Sequence, residues 1–126
     1  MKIEEIKKDL QILEEHEVVL FGSYVDGTYN SQSDIDVAVI TRLRNRKQMF
    51  EMKLEYSGKV KKKYDIQIFE MLPIVIKGSI LEDHRVLFGN PLEIGMYFYY
   101  VRKEWEDFQH RMEIPTIAEI RKGLQT

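Results

Sequence analysis

The stretch FGSYVDGTYNSQSDIDVAV, Phe21 to Val39, decides how this chain folds. It opens at the end of Glu17–Phe21 (EVVLF), a short run of β-favouring residues closed by Gly22, which predicts a buried strand. Ser23–Ser33 is small and polar, with Gly27 and Asn30, and predicts a loop with room for one helical turn. Asp34–Ile40 (DIDVAVI) resumes as a second strand, and apolar residues at odd and even positions of its C-terminal half predict cover on both faces. Side chains alternate along a strand, so Asp34 and Asp36 are expected on one side, roughly 7 Å apart. At an effective dielectric of about 20 their charges repel by about 2 kcal/mol. A hard divalent cation relieves such repulsion, and Mg²⁺ is typically held by one or two carboxylates together with substrate phosphates. Gly22 permits a tight turn with close backbone approach. Ser23 offers a hydroxyl and an N–H where a following helical turn would direct its positive end at a phosphate.

Working outward, Ile3, Ile6, Leu10 and Leu13 recur three or four apart and predict an amphipathic helix over residues 2–15. Asn45 with Gln48 resembles a capping box and predicts a helix carrying Met49, Met52, Tyr56 and Val60 on one stripe. Tyr64–Phe69 (YDIQIF) alternates as a third strand, and Asp65 at its start is a third candidate carboxylate. If the second and third strands are neighbours, three carboxylates converge at one edge of the sheet. Two metals about 3.5–4 Å apart, bridged by such carboxylates, would clamp the attacking and leaving oxygens of a phosphoryl transfer. A short helix over Leu72–Leu81 with Pro73 in its first turn, a small strand Arg85–Phe88, a long helix Leu92–Met112 and a last short helix from Pro115 complete the expected order. That alternation is an α/β pattern.

The 126 residues amount to one domain, with 44% hydrophobic and 32% charged residues, a globular composition. The absence of cysteine excludes disulfides, a thiol nucleophile and cysteine-based zinc sites. A net charge of −2 argues against an electrostatic nucleic-acid binder. No apolar run approaches the ~18 residues of a membrane span. The charged opening MKIEEIKKDL is no secretory signal, so a cytoplasmic protein is expected.

Gly22-Ser23, ten residues, then Asp34-x-Asp36 on a strand resembles the signature of the nucleotidyltransferase fold of the DNA polymerase β-like superfamily. It is most similar to the minimal nucleotidyltransferase (MNT) family. The resemblance covers about residues 1–90, read as a nucleotidyltransferase domain with a small mixed β-sheet flanked by helices. Residues 91–126 are read as a helical C-terminal extension packed on it. It implies that Gly22 and Ser23 hold a nucleoside triphosphate, that Asp34 and Asp36 bind Mg²⁺, two ions in all, and that Asp65 completes the metal site and helps deprotonate an acceptor hydroxyl. Members transfer a nucleoside monophosphate, often AMP from ATP, to a hydroxyl with release of pyrophosphate. Several act as antitoxins that adenylylate a tyrosine of a partner HEPN toxin.

Other readings compete. Gly22 and Gly27 lack the Lys-Ser/Thr of a phosphate-binding P-loop, since Thr28 and Tyr29 stand there. His16, His84 and His110 are scattered without metal-ligand spacing. Glu70 and Asp83 are rival carboxylates, but neither starts a β-like run. Two basic clusters, Arg42, Arg44, Arg46 and Lys47, and Lys59, Lys61, Lys62 and Lys63, are either solvated faces or a positive rim for phosphates. Six aromatic residues fall within 97–108 (Tyr97, Phe98, Tyr99, Tyr100, Trp105 and Phe108), more than one helix face accommodates. That surplus suggests a homo-oligomer or partner surface and motivates an alternative: an antitoxin-like binding module that neutralises its partner by docking. A small-molecule modifier of the aminoglycoside-nucleotidyltransferase type is a third option, for which residues 91–126 are short.

Overall fold

Val18, Val19 and Leu20 are all fully buried, so the strand that carries them, β1 (Glu17–Phe21), must be covered on both faces and paired on both edges. The computed structural model, which describes residues 1–112, places it between β2 (Ile35–Ile40) and β4 (Arg85–Phe88), antiparallel to both. β3 (Tyr64–Ile68) lies parallel to β2 and forms the outer edge, giving the order β3-β2-β1-β4. A parallel pair needs a crossover, and α3 (Arg46–Lys59) supplies it. Asn45 caps α3, its side chain accepting from the Gln48 N–H at 3.0 Å.

Alternation along β2 sorts the core into two layers. Ile35, Val37 and Val39, with Tyr64, Ile66 and Ile68 of β3, pack against Met49 of α3 and against Ile6, Leu10 and Leu13 of the N-terminal segment. Ala38 and Ile40, with Val19 and Phe69, pack against α4 (Ile74–Glu82) and α5 (Pro91–Arg111) through Ile80, Leu81, Ile94, Phe98 and Val101. Asp36 and Asp65 share this second face by register.

The N-terminal helix expected over 2–15 is shorter. α1 spans Ile3–Asp9, and a 3₁₀ turn over Gln11–Leu13 follows. Three residues per turn stack i with i+3, so Leu10 and Leu13 both reach full burial. The loop after β1 contains α2, a single turn over Ser23–Asp26. β2 begins one residue later than expected. Its first rung is Ile35 against Tyr64, where the Ile35 N–H donates to the Lys63 carbonyl at 2.8 Å, so Asp34 lies just outside the ladder. The helix expected from Pro115 falls outside the described residues. No described helix is long and apolar enough to cross a membrane.

Candidate active site

Gly22 leaves β1 at φ +74°, a backbone region open to glycine. A Cβ at this position would run into the Asp36 carboxylate, whose Cγ would lie 3.2 Å away. The glycine is therefore required twice, for its dihedral and for the closeness of its backbone to Asp36. α2 starts at once: the N–H groups of Val25 and Asp26 each donate to the Gly22 carbonyl at 3.0 Å, and Ser23 stands at the first helical position. The loop onward to β2 is tied to itself. Asp26 Oδ1 accepts from the Thr28 N–H and hydroxyl at 2.9 and 2.6 Å, which holds its carboxyl below the usual range. Asn30 Oδ1 accepts from the Gln32 N–H at 2.8 Å.

Asp36 is opposite Phe21 on β1 and opposite Asp65 on β3, so the two carboxylates stand side by side on one face. Its carboxyl is pushed above the ordinary value by burial first, then by the charges of Asp65 and Asp34 and by a hydrogen bond to Asp65. Asp34, outside the ladder, is exposed, and strand alternation no longer dictates its direction. The structure thus brings Asp36 and Asp65 into contact, with Asp34 near enough to act electrostatically. Among the described residues no three Asp, Glu, His or Cys side chains are gathered at metal-ligating distance. The donors nonetheless suit a hard divalent cation in kind. All are carboxylate oxygens, and their mutual repulsion is the quantity a cation relieves.

Beyond Phe21 a cleft of about 280 Å³ opens between the sheet end and α4, lined by Phe21, Gly22, Asp26, Ile76, Ser79 and Asp83. Ile76, Ser79 and Asp83 come from one helix face and its end, a spacing legible in the sequence. What the sequence did not disclose is that this face borders the Gly22 turn.

The other rivals have different duties. Glu70 Oε1 accepts from the Thr41 N–H and hydroxyl at 2.9 and 2.7 Å, and its Oε2 accepts from the Tyr97 hydroxyl at 2.9 Å, so it ties β2 to α5. His16 bonds the Tyr56 hydroxyl at 2.8 Å, and His84 Nδ1 lies 2.7 Å from the Ile80 carbonyl. Because β2 and β3 are parallel, the basic clusters fall at opposite ends of the pair. Lys61 and Lys63, at the site end, contact Asp9 at 3.0 and 3.6 Å. Arg42, at the far end, is bound to Glu17 at 2.8 Å and sits over the Tyr97 ring, 4.6 Å from its centroid.

Residues 2–92 match the family described as Polymerase beta, Nucleotidyltransferase. A Methanocaldococcus jannaschii protein with the provisional name protein adenylyltransferase MJ1547 is 39% identical over 107 residues, covering 85% of this chain and 83% of that one. A second from the same organism, provisionally protein adenylyltransferase MJ0141, is 34% identical over 85 residues, covering 62% of this chain and 79% of its own. Among solved structures, a chain of a toxin–antitoxin complex with AMP-PNP superposes with a TM-score of 0.68 at 18% identity, both chains fully covered. A chain from the complex of a tri-AMPylated Shewanella oneidensis HEPN toxin with its MNT antitoxin gives 0.60 at 16% identity, covering 98% of this chain and 96% of that one. At such identities these two speak for the fold.

Proposed function

The chain belongs to the family described as Polymerase beta, Nucleotidyltransferase, and on that premise we propose that it is a minimal nucleotidyltransferase that transfers AMP from ATP to a hydroxyl group, with a tyrosine of a partner HEPN toxin as the acceptor. The observation that carries the reading is the juxtaposition of Asp36 with Asp65 on one sheet face, directly against the Gly22 turn. Provisional adenylyltransferase names among the relatives support AMP as the transferred group, and the toxin–antitoxin neighbours support the partner.

In this reading Gly22 and Ser23 hold the triphosphate, and Asp34, Asp36 and Asp65 are the ligands for Mg²⁺. Bound there, Mg²⁺ would neutralise charge on the phosphates and on the three carboxylates. Asp65, at the exposed end of β3, accepts the acceptor hydroxyl's proton. The hydroxyl oxygen bonds to the α-phosphorus as the bond from that phosphorus to the β-phosphate oxygen breaks, and pyrophosphate leaves. Apolar Phe21 and Ile76 with the Ser79 hydroxyl line the adjoining cleft, which is large enough to take part of a substrate. The cytoplasm is the proposed compartment, consistent with a cysteine-free chain.

The test incubates the full chain with α-labelled ATP, Mg²⁺ and the HEPN partner. Asp34→Ala and Asp36→Ala are each expected to cut label transfer by roughly 100-fold or more. Transfer by either variant at the unmodified rate ends this mechanism.

A further inference from the structure

Gln67 follows Asp65 by two positions on β3, so both side chains stand on the same face. The Gln67 Nε2 donates to Asp65 Oδ1 at 3.1 Å, and Lys53 Nζ donates to Gln67 Oε1 at 3.0 Å. β3 is the sheet's edge strand, and Lys53 reaches it from α3. The direction of this chain of contacts is fixed by chemistry. An ammonium has donors alone, so it must face the amide oxygen, and that turns the amide NH₂ toward Asp65. Across β2 the register partner of Gln67 is Ala38, whose single methyl leaves the amide its space.

We propose that Gln67, locked by Lys53, is the positioning residue for Asp65: it occupies Oδ1 and leaves Oδ2 to the metal and the acceptor proton. The inference rests on the nucleotidyltransferase reading above but concerns residues that reading does not use. Gln67 touches neither substrate nor reacting atoms. It acts through the rotamer of Asp65, as outer-shell partners of metal-ligating carboxylates do, and removing such a partner typically costs 10–100-fold in metal affinity or activity.

The experiment measures kcat and KM for ATP in the full chain, and in parallel the affinity for Mn²⁺ by calorimetry without nucleotide. Gln67→Leu is expected to lower kcat by about tenfold with KM for ATP unchanged, and to weaken Mn²⁺ binding by a similar factor. Lys53→Met lowers both by a smaller factor, and Lys53→Arg, which keeps a donor, restores them. Adding Lys53→Met to Gln67→Leu changes nothing further, because the lysine acts only through the amide. Wild-type kcat and Mn²⁺ affinity in Gln67→Leu overturn the inference, as do losses that multiply in the double variant. Should Gln67→Leu fail to fold, Gln67→Met takes its place in every comparison. A parent chain that transfers no AMP defeats the proposed function, and the Mn²⁺ titration of the same variants still decides the role of Gln67.

Discussion

At Asp36 the carboxyl is held above its ordinary range, first by burial and then by Asp65 and Asp34. A raised carboxyl pKa means the folded chain keeps this proton after the unfolded chain has released it. Stability from the group is therefore full below the ordinary carboxylate pKa, and it declines as pH rises through the raised value. The ionised state that the proposed cation binding requires is thus the state that opposes folding in the metal-free chain. Asp36→Asn removes that opposition while leaving a side chain of the same shape beside Asp65. Without divalent cations, the variant is expected to melt roughly 1–3 °C above the parent at pH 7, the modest scale of a partly exposed charge. The gap should shrink toward zero as pH falls to about 4. Thermal melts of both chains across that range check it, and a gap that stays constant or widens on acidification refutes the account. Asp9 and Asp26, whose carboxyls are lowered, behave oppositely, but they are common to both chains and cancel in the difference.

Between elements, α4 meets α5 at Gly78, where an added Cβ would overlap the Trp105 indole, with Cζ2 only 2.9 Å away. Trp105 in turn stacks on Phe108 at 5.9 Å and 16°. Two effects of Gly78→Ala compete. Helix propensity favours alanine by about 1 kcal/mol, whereas forcing a methyl against a packed ring costs about 1–3 kcal/mol. The ring is rigid and held by Phe108, so the clash wins. A net loss of about 1 kcal/mol is expected, with a red shift in the emission of the chain's one tryptophan as it is pushed outward. In a Trp105→Leu background the same substitution should become stabilising, and denaturant melts of the four chains measure this sign reversal. The strands and α3 were legible because apolar runs and a capped stripe announce them. α2 was legible only as room for one helical turn in the loop, without bounds, since four residues are too short to show a helical period. The Asp36–Asp65 pairing was legible once β2 and β3 were taken as neighbours. The ties of Gln67 to Lys53 and of Glu70 to Thr41 and Tyr97 were not, because each joins separate elements across 14 to 29 positions and no pattern within one element records them.

For the whole molecule, the question is whether one surface does both the chemistry and the docking. The proposed chemistry lies where β1 ends and β2 and β3 begin. The opposite end of the sheet is closed by Arg42, which sits at φ +57° with its guanidinium on Glu17 and Tyr97, beside a cavity of about 550 Å³ lined also by Glu93, Met96 and Tyr100. The aromatic surplus of residues 97–108 divides between inside and outside. Phe98 is buried, Tyr97 and Trp105 are packed on Phe69 and Gly78, and Tyr99 and Tyr100 are exposed, continuing a stripe with Leu92 and Met96. Trp105→Ala would therefore report on folding, and a docking test belongs on the two exposed tyrosines. If the proposed HEPN partner docks here, Tyr99→Ser combined with Tyr100→Ser is expected to weaken its binding by at least about tenfold, since exposed tyrosines are frequent anchors of interfaces. Asp36→Asn should bind that partner as tightly as the parent while failing to modify it. Titration calorimetry reads the affinities, and light scattering shows whether the stripe serves a second copy of this chain. Undiminished partner binding by the tyrosine variant, or loss of a parent dimer in its place, would refute the assignment of this face to the toxin. Suppression of the toxin by Asp36→Asn at the parent's level would make docking the function and transfer the accessory.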